Sequence, residues 1–183
     1  DVYKRQVSTD SSGLYKDPYF EQNYTNAVAA GLYVGAYYYT YALDTAYADR
    51  ELTLFKQCLA GKHFDFPIAV DMEESTVAAT GNTTALLKYA LDNLLAAGYY
   101  PIQYTYLNFA NNYLNQAALS QYDMWMAQYA DACTYTGPYT IWQHTSSATI
   151  SGVSGNADAN ICYCDYANYI TNLSLIHISE PTR

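Results

Sequence analysis

Two carboxylates at the end of one apolar run are the residues of this chain most suited to chemistry. The run is Phe66-Pro67-Ile68-Ala69-Val70-Asp71-Met72-Glu73-Glu74, and it reads as a buried strand that ends in three acids. Successive side chains of an extended strand point to opposite faces. Ala69, Asp71 and Glu73 therefore share one face, and Ile68, Val70 and Met72 share the other. Alternate residues lie roughly 7 Å apart along a strand, close enough for two carboxyl groups to act on one substrate. One could hold a proton for a leaving group while the other supplies negative charge, which is general acid chemistry. Glu74 falls on the opposite face and is expected at the surface or in a structural role.

Strands and helices must position that pair. Asp17-Pro18 opens a predicted helix to about Ala30, with Asp17 as N-cap and Pro18 as first helical residue. A β-rich run from Leu32 to Tyr41 follows, then an amphipathic helix from Asp44 to about Leu59. After the acidic strand come a polar loop to Gly81-Asn82, a helix over Thr83–Ala97 and a strand over Tyr99–Tyr106. A short helix from Asn108 to about Leu119 precedes strands over Asp123–Tyr129, Tyr139–His144 and Ala157–Tyr163. Alternating helix and strand imply a parallel sheet. Tyr39, Asp71 with Glu73, Tyr104 with Tyr106, Gln128 with Tyr129, and Gln143 collect at the C-terminal ends of different strands. That distribution fits an α/β fold of the irregular TIM-like (β/α) barrel type, with short or missing helices in its last third. Six strands are counted where a closed barrel has eight.

Composition narrows the partners. The 183 residues are enough for one domain with a substantial core. A net charge of −9 leaves no basic footprint for nucleic acid. No apolar run is long enough to enter a membrane as a spanning helix. The 23 tyrosines, set against 8 Lys plus Arg, offer flat faces with polar tips, suited to a wet sugar-like ligand. Most are expected to serve as strand aromatics, and Trp125 and Trp142 as core. His63, His144 and His177 lack ligand spacing, and Cys58, Cys133, Cys162 and Cys164 match neither a zinc nor a redox pattern. No metal and no cofactor are expected, and a monomer is. Gly152-Val153-Ser154-Gly155 does not make a serine-hydrolase elbow.

The ends differ in character from the rest. Residues 1–6 (Asp1 to Gln6) and 174–183 (Ser174 to Arg183) resemble translated sequencing-adapter read-through and are set aside as non-native, leaving 7–173 as one catalytic domain.

Six segments in order resemble the family 25 glycoside hydrolases, the Chalaropsis-type lysozymes. They are Phe20-Glu21-Gln22-Asn23-Tyr24 with Ala29-Ala30-Gly31, Val34 to Tyr39, Ala69 to Glu73, Trp125 to Tyr129, Trp142 to Ser147, and Gly152 to Asp158. The resemblance implies an N-acetylmuramidase acting on bacterial peptidoglycan outside the cell, at the wall. Glu73 aligns with the general acid, Asp71 with its partner carboxylate, and Asp158 with an acid from the last strand. Tyr37, Tyr39, Tyr104, Tyr129 and Gln143 fall on matching strands as sugar contacts. Members begin with an Asp-Val-Ser strand bearing a further aspartate. Asp1-Val2 mimics it, but too few residues separate it from Lys16-Asp17, so Asp1 is left unassigned and the first two strands are expected to be missing. Chitinase-like barrels carry another Asp where this chain has Ala69, which argues against them. Glycoside hydrolysis needs a proton for the leaving oxygen and a nucleophile or negative charge at the ring. Ionised Asp71 and Asp158 would help Glu73 keep that proton. Asp71 could be the nucleophile or could orient the substrate's own acetamido group. The competing reading is a catalytically silent barrel that binds wall sugars.

Overall fold

The computed structural model describes residues 7–10 and 13–171. The expectations for residues 1–6 and 174–183 lie outside the described residues. Six strands form one sheet in chain order: β3 (Ala36–Tyr39), β4 (Ile68–Asp71), β5 (Pro101–Tyr106), β6 (Asp123–Ala127), β7 (Ile141–Ala148) and β8 (Ala157–Cys162). The sheet is a curled half-barrel. Before it, β1 (Val7–Asp10) and β2 (Gly13–Lys16) pair as an antiparallel hairpin that stands outside this sheet and lies against β3 and α2 (Thr45–Leu59).

Helices cover the convex face. On α2, Ala48, Leu52, Phe55 and Leu59 repeat at helical spacing and are buried; on α4 (Thr83–Ala96), Leu87, Ala90, Leu91 and Leu94 do the same. They pack on Tyr38, Ile68, Val70 and Met72 from the sheet. Burying one such Leu or Ile contributes about 1.5–3 kcal/mol. Asp44 caps α2 by accepting from the Tyr47 N–H at 2.7 Å. The chain leaves α2 and α4 through Gly61 and Gly98, both at positive φ, a conformation open to glycine at little steric cost.

Several boundaries differ from the sequence expectation. The first main helix, α1 (Phe20–Ala29), starts later than Pro18, because Asp17 folds a turn by accepting from the Tyr19 N–H. β3 is four residues, not ten: Leu32 and Tyr33 are exposed, and the Val34 carbonyl accepts from Asp65 and Phe66 instead of joining the ladder. The loop expected after the acidic strand holds a short helix, α3 (Ser75–Ala78). The expected helix from Asn108 divides into α5 (Leu107–Tyr113) and a 3₁₀ turn (Gln116–Leu119).

The largest correction is direction. β3 to β7 run parallel, but β8 is antiparallel to β7. A parallel return needs a crossover of about a dozen residues or more, and residues 149–156 are too few. The N-terminal end of β8 therefore lies beside the C-terminal ends of the other strands.

At the opposite end, a short helix over residues 166–171 packs into the concavity. Tyr166 is buried against Ala69, Ile102, Trp125 and Ile141. Its hydroxyl donates to Asp123 at 2.7 Å, and Tyr100 donates to the same carboxylate oxygen at 2.8 Å.

Candidate active site

Register assembles the concave face. Tyr39 lies opposite Asp71, Asp71 opposite Tyr104, and Tyr104 opposite Trp125. Register partners in adjacent strands point to the same side of a sheet, so this row converges within the curl. A second row brings Ala127 opposite Gln143, and Gln143 opposite Asn160. The small side chains of Ala69 and Ala127 leave room between the larger ones.

Backbone bonds aim the acids. The Thr40 N–H donates to the Asp71 carbonyl, and the Met72 N–H donates to the Tyr104 carbonyl, both at 3.0 Å. The buried Thr105 hydroxyl donates to the Met72 carbonyl at 2.7 Å. With Met72 held at both backbone groups and its side chain buried on the helix side, Glu73 is turned to the concave side. Glu74 has another task. Its carboxylate caps α3, accepting from the Thr76 N–H at 3.2 Å, and it also accepts from the Tyr39 hydroxyl at 3.2 Å. Burial pushes its carboxyl up, but these hydrogen bonds outweigh burial and hold it below the usual glutamate range.

Two hollows adjoin at this end. The inner one, ≈ 320 Å³, is lined by Tyr37, Asp71, Tyr104, Trp125, Gln143 and Asp158. The wider one, ≈ 780 Å³, includes Glu73, Tyr104, Tyr106, Asn108 and Tyr129 in its lining. Tyr104 is the shared wall. Its hydroxyl donates to Gln143 Oε1 at 2.8 Å, and the Tyr129 hydroxyl donates to the same oxygen at 3.0 Å. Trp125 Nε1 donates to Asn160 Oδ1 at 2.8 Å, tying β6 to the reversed strand.

Electrostatics link all three acids to that wall. Burial pushes the Tyr104 hydroxyl well above the ordinary tyrosine value, and the negative charges of Asp71, Glu73 and Asp158 add to the shift. Tyr129 is raised by burial, then by the same acids, and Tyr39 by burial, then by Glu73, Glu74 and Asp71. These hydroxyls stay protonated and remain donors. Desolvation raises Asp158 above the usual aspartate range, although the residue as a whole is exposed.

A profile of the glycosyl hydrolases family 25 matches residues 7–153. The chain belongs to that family. Curated relatives include an autolytic lysozyme of Clostridium acetobutylicum, 28% identical over 145 residues, covering 79% of this chain and 44% of the relative. A D-alanyl-L-alanine endopeptidase of Streptococcus phage B30 is 33% identical over 141 residues, covering 70% of this chain and 31% of the relative. The chain thus spans less than half the length of either. Among solved structures, the CTP1L endolysin superposes with a TM-score of 0.71 at 27% identity, covering 86% of this chain and 57% of that one. A family 25 glycosyl hydrolase of Streptococcus pneumoniae gives 0.76 at 16% identity, covering 86% and 74%, a likeness of fold.

Within this family 25 chain, Asp71, Asp158, Tyr37, Tyr104 and Gln143 line one hollow, and Glu73 and Tyr129 line its neighbour with Tyr104. Tyr39 lines neither; its ring packs on Tyr41, 4.7 Å between centroids. Asp158 arrives from the beginning of its strand, which the reversal of β8 makes possible. Trp125, expected in the core, is 6% exposed and also lines the inner hollow. Tyr106 and Asn108 in the wider hollow had no assigned role. Among the described residues no three His, Cys, Asp or Glu side chains converge to hold a metal ion.

Proposed function

We propose that the chain is a peptidoglycan hydrolase that cleaves the β-1,4 bond between N-acetylmuramic acid and N-acetylglucosamine, acting at the bacterial cell wall. Glu73 gives its proton to the glycosidic oxygen. Asp71 is the partner carboxylate, serving as nucleophile or orienting the substrate's acetamido group, and Asp158 adds negative charge beside the ring that becomes cationic. Tyr37, Tyr104, Tyr129 and Gln143 hold sugar hydroxyls, and Tyr39 donates to Glu74, the carboxylate that caps α3. The observation that carries this reading is that Asp71 and Asp158 line one hollow and Glu73 the adjoining one, with Tyr104 the wall of both. Family membership supports it.

The division of the site favours the same roles. An oxocarbenium-like ring needs carboxylate on its face, which the inner hollow offers through Asp71 and Asp158. The leaving sugar needs space beyond the proton donor, which the wider hollow offers beside Glu73. The test is release of reducing sugar from purified peptidoglycan by this chain and by Glu73→Gln. Loss of a general acid is expected to lower the rate about 10²–10⁴-fold. Equal rates would remove Glu73 from the role. Binding of wall fragments without cleavage by either protein would favour the silent sugar-binding barrel instead.

A further inference from the structure

Beyond Glu73 the surface continues into a third hollow of ≈ 470 Å³, walled by Ser75, Ala78, Tyr106, Asn108, Phe109 and Tyr113. Tyr106 and Asn108 also line the hollow that contains Glu73, so the two are contiguous. Tyr106 and Tyr113 are 38% and 47% exposed, yet both pack against Phe109, which is 1% exposed. Ring centroids are 5.7 Å apart for Tyr106–Phe109 and 5.1 Å for Phe109–Tyr113. A buried ring thus props two exposed ones, which lose little freedom on binding a ligand. Among the described residues no charged side chain lines this third hollow.

We propose that this aromatic shelf binds the second pyranose ring of the leaving group, so that the glycan runs from the inner hollow, past Glu73, and out over α5. The inference rests on the reading of Glu73 as proton donor and adds a direction and a further subsite to it. The direction follows from the carboxylates. Asp71 and Asp158 flank the ring that loses its bond, so the leaving chain extends to the other side of Glu73, where Tyr106 and then Tyr113 lie. The chemical class follows from the lining. Tyrosine faces with an amide and a serine hydroxyl match a sugar ring, whose axial C–H groups pack on aromatics. An anionic stem peptide would call for a cation, and the shelf offers none.

The experiment compares two peptide-free substrates with their lactyl groups capped as amides. One is N-acetylglucosamine–N-acetylmuramic acid–N-acetylglucosamine, whose last ring ends beside Glu73. The other adds one N-acetylmuramic acid at the reducing end, to reach the shelf. In the unaltered chain, kcat/KM is expected to be higher for the longer substrate. In Tyr113→Ala the ratio of longer to shorter is expected to fall about tenfold, the scale of one well-seated aromatic contact, and Tyr113→Phe should restore it. An unchanged ratio in Tyr113→Ala would overturn the proposal. If the unaltered chain cleaves neither substrate, the hydrolase reading fails, and calorimetric affinities for the two oligomers decide the shelf separately. A preference for the tetrasaccharide that Tyr113→Ala abolishes would then sustain it, and equal affinities would end it.

Discussion

Replacing Gln143 with methionine keeps the length of a buried side chain and removes the oxygen on which two tyrosines converge. The two lost hydrogen bonds are not equivalent. Tyr129 is 59% exposed, so water can take its hydroxyl at little cost. Tyr104 is the partly buried wall between the hollows, and its hydroxyl loses its protein acceptor where water has less access. An unsatisfied buried donor costs about 1–3 kcal/mol, and that one group sets the scale. With a urea m-value of ~2 kcal/mol/M for a domain of this size, the midpoint should fall by about 0.5–1.5 M. Urea unfolding followed by tryptophan fluorescence measures it. The decisive step is a double-mutant cycle. In a Tyr104→Phe background the donor is gone, so Gln143→Met should cost clearly less; in a Tyr129→Phe background it should cost nearly the full amount. Equal costs in all three backgrounds would refute the claim that Gln143 stabilises the site through Tyr104.

Two further outcomes follow from titrating groups. The folded-state pKa of Asp158 lies above its unfolded value, so protonation favours folding and ionisation at neutral pH opposes it. Asp158→Asn should therefore be more stable than the unaltered chain near pH 7, with the gap closing as pH falls from the raised folded-state pKa down to the ordinary aspartate value; thermal melts across pH 3–7 check this, and a gap that widens on acidification would contradict it. Glu74 has the opposite sign, since its folded pKa is lowered and its ionised form stabilises the fold. Glu74→Gln should lower the melting temperature near pH 7, and this difference should vanish once pH has fallen below the folded-state pKa, because the stabilisation is then absent from both proteins.

Much of the architecture was legible because local patterns encode it. The alternation along Ala69-Val70-Asp71 set Ala69 and Asp71 on one face and Val70 on the other, and register bears this out within β4, while Glu73 and Glu74 lie just past its end. The helices expected to end near Leu59 and Ala97 end at Leu59 and Ala96, each followed by a glycine at positive φ. All six strands of the sheet are present, at shifted bounds. What was not legible depends on distant partners. Nothing in the side-chain pattern of residues 157–162 reports strand direction; only the shortness of the preceding connection does. Trp125 is in the core as expected, but its further place on the wall of the inner hollow beside Tyr104 comes from pairing between residues 21 apart in sequence. Tyr39 sits at the expected row, but the carboxylate of Glu74 draws its hydroxyl aside. The Glu74–Thr76 cap of α3 was a readable signal in hindsight, since a glutamate before Ser-Thr can start a short helix. The hairpin of β1 and β2 was too short for any periodic signature.

The reversal of β8 also changes which part of the chain is free to vary. Each earlier connection leaves the site end of the sheet and returns to the far end, so its length is constrained by the helix or crossover that spans the sheet. Residues 149–156 begin and end at the site end, are exposed throughout, and turn through Gly152 and Gly155 at positive φ. Lengthening or shortening this hairpin tip alters the lip over Asp158 while the register of β7 and β8 below it stays as it is. The rim of the site can therefore be reshaped by insertion and deletion at one place, with the framework that aims Asp71 and Glu73 left untouched.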